Sequence, residues 1–123
     1  MRVLIAESDL EQRICLSIWL AKVGSSELAG LARSRKELLP AIRVSNADII
    51  VASWDLLASD FDALLKEFRA LQPVPKIIIV SWQTELDEML LNRGVDAVIQ
   101  LSELPQALYA VLEHMKLEVD GIK

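Results

Sequence analysis

Five short apolar segments, each followed by a stretch with helical periodicity, constrain this 123-residue chain more than any other feature. The segments cover residues 3–6, 27–32, 49–52, 76–80 and 97–99. Uninterrupted apolar runs of this length are typical of parallel strands that are covered on both faces. Five strand–helix repeats therefore predict one α/β domain, a doubly wound five-stranded parallel sheet with five helices.

Polar residues at the predicted helix starts can cap the free backbone N–H groups there. These residues are Asp9, Ser34, Asp60, Thr84, and either Ser102 or Glu103. The second helix should run from the capping box at Ser34 to about Ser45, and Pro40 inside it should distort or shorten it. Gly24 and Gly94 are the expected stops of the first and fourth helices.

Composition limits the classes of function that the chain can have. With 53% apolar and 25% charged residues and a net charge of −5, it is typical of a globular domain without a broad nucleic-acid or anionic-membrane surface. The first apolar run stops at Glu7, too early for a signal peptide or a membrane span. The single cysteine, Cys15, fits a reducing compartment. We expect a cytoplasmic domain over residues 1–118 and a tail or linker start over residues 119–123.

Ligands of doubly wound sheets bind beyond the carboxyl ends of the strands, so the residues that follow each strand are the candidate site. They are Glu7 and Ser8 after the first strand, Ser53, Trp54 and Asp55 after the third, Ser81 and Trp82 after the fourth, and Leu101 after the fifth. None of the four glycines forms a nucleotide-binding loop after a strand.

Two segments carry a resemblance to a known family. The run from Ser53 through Asp60 to Ala70 resembles, without a gap, the Asp-Trp-Asn, Met-Pro, Met-Asp-Gly, Leu-Leu-Lys and Arg-Ala run of chemotaxis-type receivers. Gly94-Val95-Asp96-Ala97 is similar to their Gly-Ala-Asp-Gly. From Arg2 to about Lys116 the chain therefore resembles a response-regulator receiver domain, which is CheY-like and flavodoxin-like in fold.

The resemblance implies a phosphorylation site whose functional groups this chain lacks. In receivers an aspartate at the end of the third strand accepts a phosphoryl group, carboxylates hold Mg²⁺, and a lysine and a hydroxyl bind the phosphoryl oxygens. Here the acidic pair becomes Glu7 and Ser8, the acceptor becomes Ser53, and the lysine becomes Leu101. Ser81 alone keeps its hydroxyl, and Asp55 matches a backbone-carbonyl ligand. We expect a pseudo-receiver with no metal, no cofactor and no enzymatic activity.

Other interpretations of the same residues remain open. Asp55 could be the acceptor if the strand were two residues longer, although this would break the ungapped match and leave no cation nearby. Glu7 is equally consistent with a surface carboxylate or with an ion-pair partner of Arg2 or Arg13. Ser53 and Ser81 are expected to satisfy their hydroxyls against the backbone. Trp54 and Trp82 either fill the vacated pocket or form a binding surface.

The expected function is signalling by protein contact. The resemblance implies dimerisation or docking through the fourth helix, the fifth strand and the fifth helix, as in the regulatory domain of a transcriptional response regulator. The candidate surface residues are Leu86, Leu90, Leu91, Val98 and Tyr109. Leu86 and Leu90 are equally consistent with core positions. A small ligand held between Glu7, Ser53 and Leu101 is the main alternative function.

Overall fold

The computed structural model describes residues 1–119 and contains one sheet of five parallel strands. The strands are β1 (Arg2–Ala6), β2 (Glu27–Ala32), β3 (Ile49–Ser53), β4 (Lys76–Ser81) and β5 (Ala97–Gln100). Their spatial order is β2-β1-β3-β4-β5. The chain therefore adds strands to one side of β1 and then to the other, and the strand order reverses between β1 and β3. The predicted doubly wound α/β fold is confirmed, and its topological switch point lies where Glu7 and Ser53 leave the sheet.

Within residues 1–119 the structure has six α-helices rather than five. They are α1 (Leu10–Ala21), α2 (Arg35–Ser45), α3 (Trp54–Leu57), α4 (Phe61–Arg69), α5 (Asp87–Asn92) and α6 (Gln106–Val119), with 3₁₀ turns at Thr84–Leu86 and Leu101–Glu103. The additional helix, α3, is a single turn and is too short to produce a periodic pattern. The predicted fourth and fifth helices are therefore α5 and α6. The predicted tail begins at Val119, the last residue of α6, and its residues 120–123 lie outside the described part.

The predicted caps of α1 and α2 are confirmed. Asp9 accepts a hydrogen bond from the backbone N–H of Gln12, and Ser34 accepts one from that of Glu37. The helix α2 continues through Pro40 to Ser45, so the proline does not shorten it.

The other helix starts differ from the prediction. Asp60 precedes α4 but has a left-handed backbone (φ 53°) and makes no capping bond, because side-chain capping needs an extended backbone at that residue. Thr84 begins a 3₁₀ turn, and α5 starts at Asp87. Ser102 lies in the second 3₁₀ turn; α6 begins only at Gln106, since Pro105 disfavours helical backbone at the residue before it.

Both faces of the sheet are covered by buried apolar side chains. On β1, Leu4 and Ala6 belong to the cluster that packs under α2 and α4, whereas Val3 and Ile5 belong to the cluster that packs under α1 and α6. Leu4 and Ile5 have 0% and 1% of their surface exposed. A strand held from both sides in this way fixes the position of the residues at its carboxyl end.

Gly94, between α5 and β5, provides a stability prediction. Its φ of +95° is a conformation that L-residues rarely adopt, and a Cβ added there would lie 2.5 Å from the Arg69 guanidinium. Gly94→Ala should lower the free energy of unfolding by about 1–2 kcal/mol, the usual cost of left-handed backbone for an L-residue. Urea unfolding of the chain measures this.

The matched control is Gly24→Ala, because a Cβ there would have no atom within 4 Å. This change should leave stability unchanged or raise it by up to ~1 kcal/mol through the unfolded state. Equal destabilisation by the two substitutions would contradict the explanation.

Candidate functional site

The carboxyl ends of four strands enclose one cavity of about 260 Å³, which we call the carboxyl-edge cavity. Parallel pairing brings them together, since β1 pairs with β3, β3 with β4, and β4 with β5. The cavity is lined by Glu7, Asp9, Gln12, Ser53, Trp54, Asp55, Val80, Ser81, Trp82 and Leu101. Of the residues predicted for this site, only Ser8 is not in the lining; its side chain is exposed.

Glu7 places a largely buried carboxylate on the wall of this cavity. The residue is 7% exposed, and burial raises the pKa of its carboxyl above the ordinary value of 4.5. Backbone hydrogen bonds, including one of 3.2 Å from the N–H of Asp9, act in the opposite direction, whereas the negative charge of Asp9 raises the pKa further. The buried carboxylate is therefore held mainly by backbone donors.

Neither candidate arginine forms an ion pair with that carboxylate. Arg13 donates to the backbone carbonyls of Glu7 (2.9 Å) and Ser8 (3.2 Å), and Arg2 pairs with Glu27 at 3.1 Å. The interpretation of Glu7 as a surface carboxylate in a salt bridge is therefore wrong. The Asp9 carboxylate accepts a 2.9 Å hydrogen bond from the backbone N–H of Gln12, at the start of α1.

Ser53 is the last residue of β3 and is 9% exposed. Its hydroxyl oxygen is buried and has no hydrogen-bond partner among the described residues, so the expectation that the backbone satisfies it is wrong. A weak interaction of this hydroxyl with the Glu7 carboxyl, which does not reach hydrogen-bond geometry, lowers the pKa of that carboxyl and is the smallest of the effects on it. Ser81 differs, because its Oγ accepts a 2.9 Å hydrogen bond from the N–H of Gln83, as predicted.

Asp55 does not occupy the strand-end position. Pairing of β3 with β4 stops at Ser53 opposite Val80, and α3 begins at the next residue. Asp55 is exposed in the first turn of α3 and contributes to the rim of the cavity. The register that would make it the strand-end acceptor is not the register of the structure.

Leu101 lies directly after β5, at the position where receivers have their lysine, and it packs against buried residues of the α1 and α6 layer. Its neighbour Gln100 was missed at the sequence level. The Gln100 side-chain amide donates to the Gln83 carbonyl (3.3 Å) and to Asp87 Oδ1 (2.6 Å), which ties β5 to the start of α5. A glutamine at the end of a strand carries no pattern that would have revealed this role.

The two tryptophans line the cavity in different ways. Trp54 is half-buried, and its ring lies edge-on to Phe61 with centroids 5.1 Å apart. Trp82 is 65% exposed, so the prediction that it fills the vacated pocket is wrong.

The residues present do not fit the Mg²⁺ site of receivers. Such a site needs several oxygen ligands in fixed geometry. Glu7 is the buried carboxylate here, Asp9 caps α1, and serine replaces the aspartate at 53. In the part of the chain that the structure describes, no group of three or more His, Cys, Asp or Glu side chains could hold a metal ion.

The residues predicted for an interaction surface divide into core and surface positions. Leu90 is fully buried in the core, and Leu86 and Val98 are half-buried against the same cluster, so Leu90 is not a surface residue. Leu91 is 48% exposed, and Tyr109 is half-buried. Between residues 1 and 119, no helix combines the length and the apolar character that crossing a bilayer requires.

Comparison with known proteins supports the fold from structures alone, since no protein-family model and no curated protein sequence matches the chain. The response regulatory domain of protein mrkE from Klebsiella pneumoniae is similar with a TM-score of 0.82 and 15% identity, over 96% of this chain and 97% of that one. The REC domain of AraT from Geobacillus stearothermophilus gives 0.80 and 20%, over 97% and 95%.

The isolated REC domain of RcsB from Salmonella enterica serovar Typhimurium gives a TM-score of 0.77 and 16% identity, over 92% and 88% of the two chains. In a longer RcsB structure, from Salmonella typhimurium, this chain spans 61% of the length. The chain therefore has the flavodoxin-like fold of receiver (REC) domains.

The raised pKa of Glu7 predicts a specific pH dependence. The folded state holds the proton more tightly than the unfolded state, so Glu7 destabilises the fold increasingly as pH rises from the unfolded pKa through the folded one. Glu7→Gln should therefore unfold at a higher temperature than the wild type at pH 7, and this difference should vanish below about pH 4. Thermal unfolding at a series of pH values measures it.

Glu37 is the control with the opposite sign. Hydrogen bonds from Arg33 lower the pKa of its carboxyl, so its ionised form stabilises the fold above the unfolded pKa. Glu37→Gln should unfold at a lower temperature at pH 7, with a difference that also disappears in acid. The same sign for both variants would refute the assignment of buried charge to Glu7.

Proposed function

We propose that this chain is a pseudo-receiver, a signalling domain that acts through protein contacts without phosphorylation. The observation that supports this most directly is the buried serine, Ser53, at the carboxyl end of β3, with Leu101 across the cavity. A serine cannot form the acyl phosphate that an aspartate forms. Leu101 offers no positive charge to a phosphoryl group.

The surroundings of Ser53 do not favour transfer of a phosphoryl group to its hydroxyl, although the Glu7 carboxylate lies beside it. Activating a serine hydroxyl requires an adjacent base. His114, the single histidine, lies on α6 and lines a different cavity with Asp96 and Glu118. The described residues that line the carboxyl-edge cavity include three carboxylates and no Lys, Arg or His, so the cavity would repel a phosphoryl donor.

Arg35 holds residues 57–60, at the end of α3 and after it, in one conformation. This supports a domain that does not switch between two conformations. The Arg35 guanidinium donates to the backbone carbonyls of Leu57 (3.4 Å), Ser59 and Asp60 (3.3 Å). These carbonyls belong to the last residue of α3 and to the connection between α3 and α4. A side chain that satisfies three carbonyls of one segment opposes its rearrangement.

Protein partners are part of the proposal. The structural neighbours include CheY6 from R. sphaeroides in complex with the P1 domain of CheA3, and RcsB in a complex with DNA. For this chain we propose a protein partner or a second copy, bound through α5, β5 and α6, in the cytoplasm. The domain would be the regulatory part of a transcriptional response regulator, and with its net charge of −5 it would not itself bind nucleic acid.

The outer face of α1 also has exposed apolar side chains and is a second candidate for a protein interface. On α1, Leu10, Ile14 and Ile18 are 60%, 49% and 53% exposed, and Leu31 of β2 beside them is 44% exposed. On α5 and α6, Leu91 is 48% exposed and Leu117 is 56% exposed. The α1 face is therefore the appropriate comparison.

The chemical part of the proposal predicts the outcome of restoring the acceptor. Wild type should not be labelled by acetyl phosphate, and Ser53→Asp should gain little label, because Leu101 supplies no cation and Ser8 no carboxylate. The triple variant Ser8→Asp, Ser53→Asp, Leu101→Lys should gain the most. Intact-protein mass and peptide mapping measure the label. Stable labelling of Ser53→Asp alone, or of Asp55 in the wild type, would sink the claim.

The surface part predicts the effect of charges placed on two helices. If α5, β5 and α6 form the interface between two copies, Leu91→Glu and Tyr109→Glu should reduce self-association at least tenfold, since a buried unpaired charge costs more than ~1.4 kcal/mol. Ile14→Glu on α1 is the matched control and should have no effect. Sedimentation velocity measures self-association. A loss seen only in Ile14→Glu would move the interface to α1 and contradict this surface.

A further inference from the structure

The carboxyl-edge cavity has a negative charge that no cationic side chain among its described lining residues balances. Glu7, Asp9 and Asp55 contribute carboxylates, and Lys, Arg and His are absent from the described residues that line it. The Arg13 guanidinium bonds to this segment, but it donates to the backbone carbonyls of Glu7 and Ser8 and not to the Glu7 carboxylate. In an interior of low dielectric constant, an unbalanced carboxylate such as Glu7 attracts a positive ligand more strongly than one in water.

A buried hydroxyl without a partner provides an independent observation. Ser53 is 9% exposed, lines the cavity, and its Oγ has no hydrogen bond within the described residues. Buried polar atoms are almost always paired, and an orphan in a native fold points to a ligand or water that completes it. A ligand with N–H donors would satisfy Ser53 Oγ and the Glu7 carboxylate together.

Two indoles extend the site on its open side. Trp54 is held in place by its edge-on contact with Phe61 and lines the cavity, and Trp82 is 65% exposed at the same rim. Indole faces attract organic cations, and aromatic side chains with carboxylates are the usual recognition set for ammonium groups. Val80 and Leu101 add apolar wall, which a hydrated metal ion would not use but an alkyl group would.

We propose that the carboxyl-edge cavity binds a small organic monocation that carries an alkylammonium or guanidinium group. The Glu7 carboxylate is the counter-ion, Ser53 Oγ accepts an N–H, and Trp82 and Trp54 contact the alkyl part. The cavity of about 260 Å³ fits a compound of a few heavy atoms. This ligand site goes beyond the signalling role proposed above and does not depend on it.

The test titrates the whole chain with ethylammonium and methylguanidinium chlorides, followed by tryptophan fluorescence and by amide chemical shifts. Ethanol, which is close to ethylammonium in size but neutral, and sodium chloride at matched ionic strength are the ligand controls. We expect saturable changes at the amides of Glu7 and Ser53 with at least one of the two cations, and none with ethanol.

Variants assign the binding to the proposed residues. Glu7→Gln keeps the shape of the side chain and should weaken binding about tenfold or more; Trp82→Ala should weaken it about two- to fivefold, as cation–π contacts at exposed sites do. Glu113→Gln, an exposed carboxylate on α6, is the control and should bind as the wild type does.

Three results of the titrations with organic cations would overturn the proposal. They are an equal response to ethanol or sodium chloride, unchanged affinity in Glu7→Gln, and no saturation up to about 0.1 M, a hundredfold above a millimolar Kd. Saturable binding of Mg²⁺ that requires Glu7 would also overturn it in favour of a metal site. None of these results alters the acetyl phosphate labelling, so failure here is distinguishable from failure of the pseudo-receiver proposal.

Discussion

The parallel pairing of β1 with β3 and of β3 with β4 is the constraint on which the rest of the molecule depends. Buried apolar side chains on both faces of these strands fix their register, because a shift by one residue would exchange the two faces of the sheet. That register brings Glu7, Ser53 and Ser81 to one edge, and the helices that cover the sheet leave this edge open. The carboxyl-edge cavity is therefore a consequence of packing and needs no catalytic residue to exist.

The composition of this edge, in contrast, is unbalanced in a way that packing does not require. Glu7 remains a carboxylate in a position where burial raises its pKa, although a glutamine or leucine would avoid the cost of burying a charge. Leu101 and Ser53 provide neither the lysine charge nor the aspartate carboxylate that the resemblance to receivers would place beside Glu7. A fold usually tolerates such local cost where a site has a use, and here the proposed use is to attract a positive ligand.

The sequence predicted the sheet well and the site only in part. Continuous apolar runs identified all five strands, and Asp9 and Ser34 were correct caps, since both signals are local. The single-turn α3 was missed because four residues show no period, and Asp60 was misjudged because its left-handed backbone is set by the connection from α3 to α4. The exposure of Trp82, the burial of Leu90 and the unpaired hydroxyl of Ser53 depend on tertiary neighbours that no local pattern encodes.

The chain resembles receiver domains in fold because the residues that form the core differ from the residues that form the carboxyl-edge cavity. The solved receivers described above share only 15–20% of their residues with this chain, yet they superpose over 92–97% of it. What they need in common is the alternation of buried strands and amphipathic helices, which many sequences satisfy. The residues at the carboxyl edge contribute little to that core, so they can change without loss of the fold. The function of this domain then depends on the chemistry of Glu7, Ser53 and Leu101 themselves. A buried acid without a cation, beside a hydroxyl without a partner, is better suited to holding a positive group than to transferring a negative one.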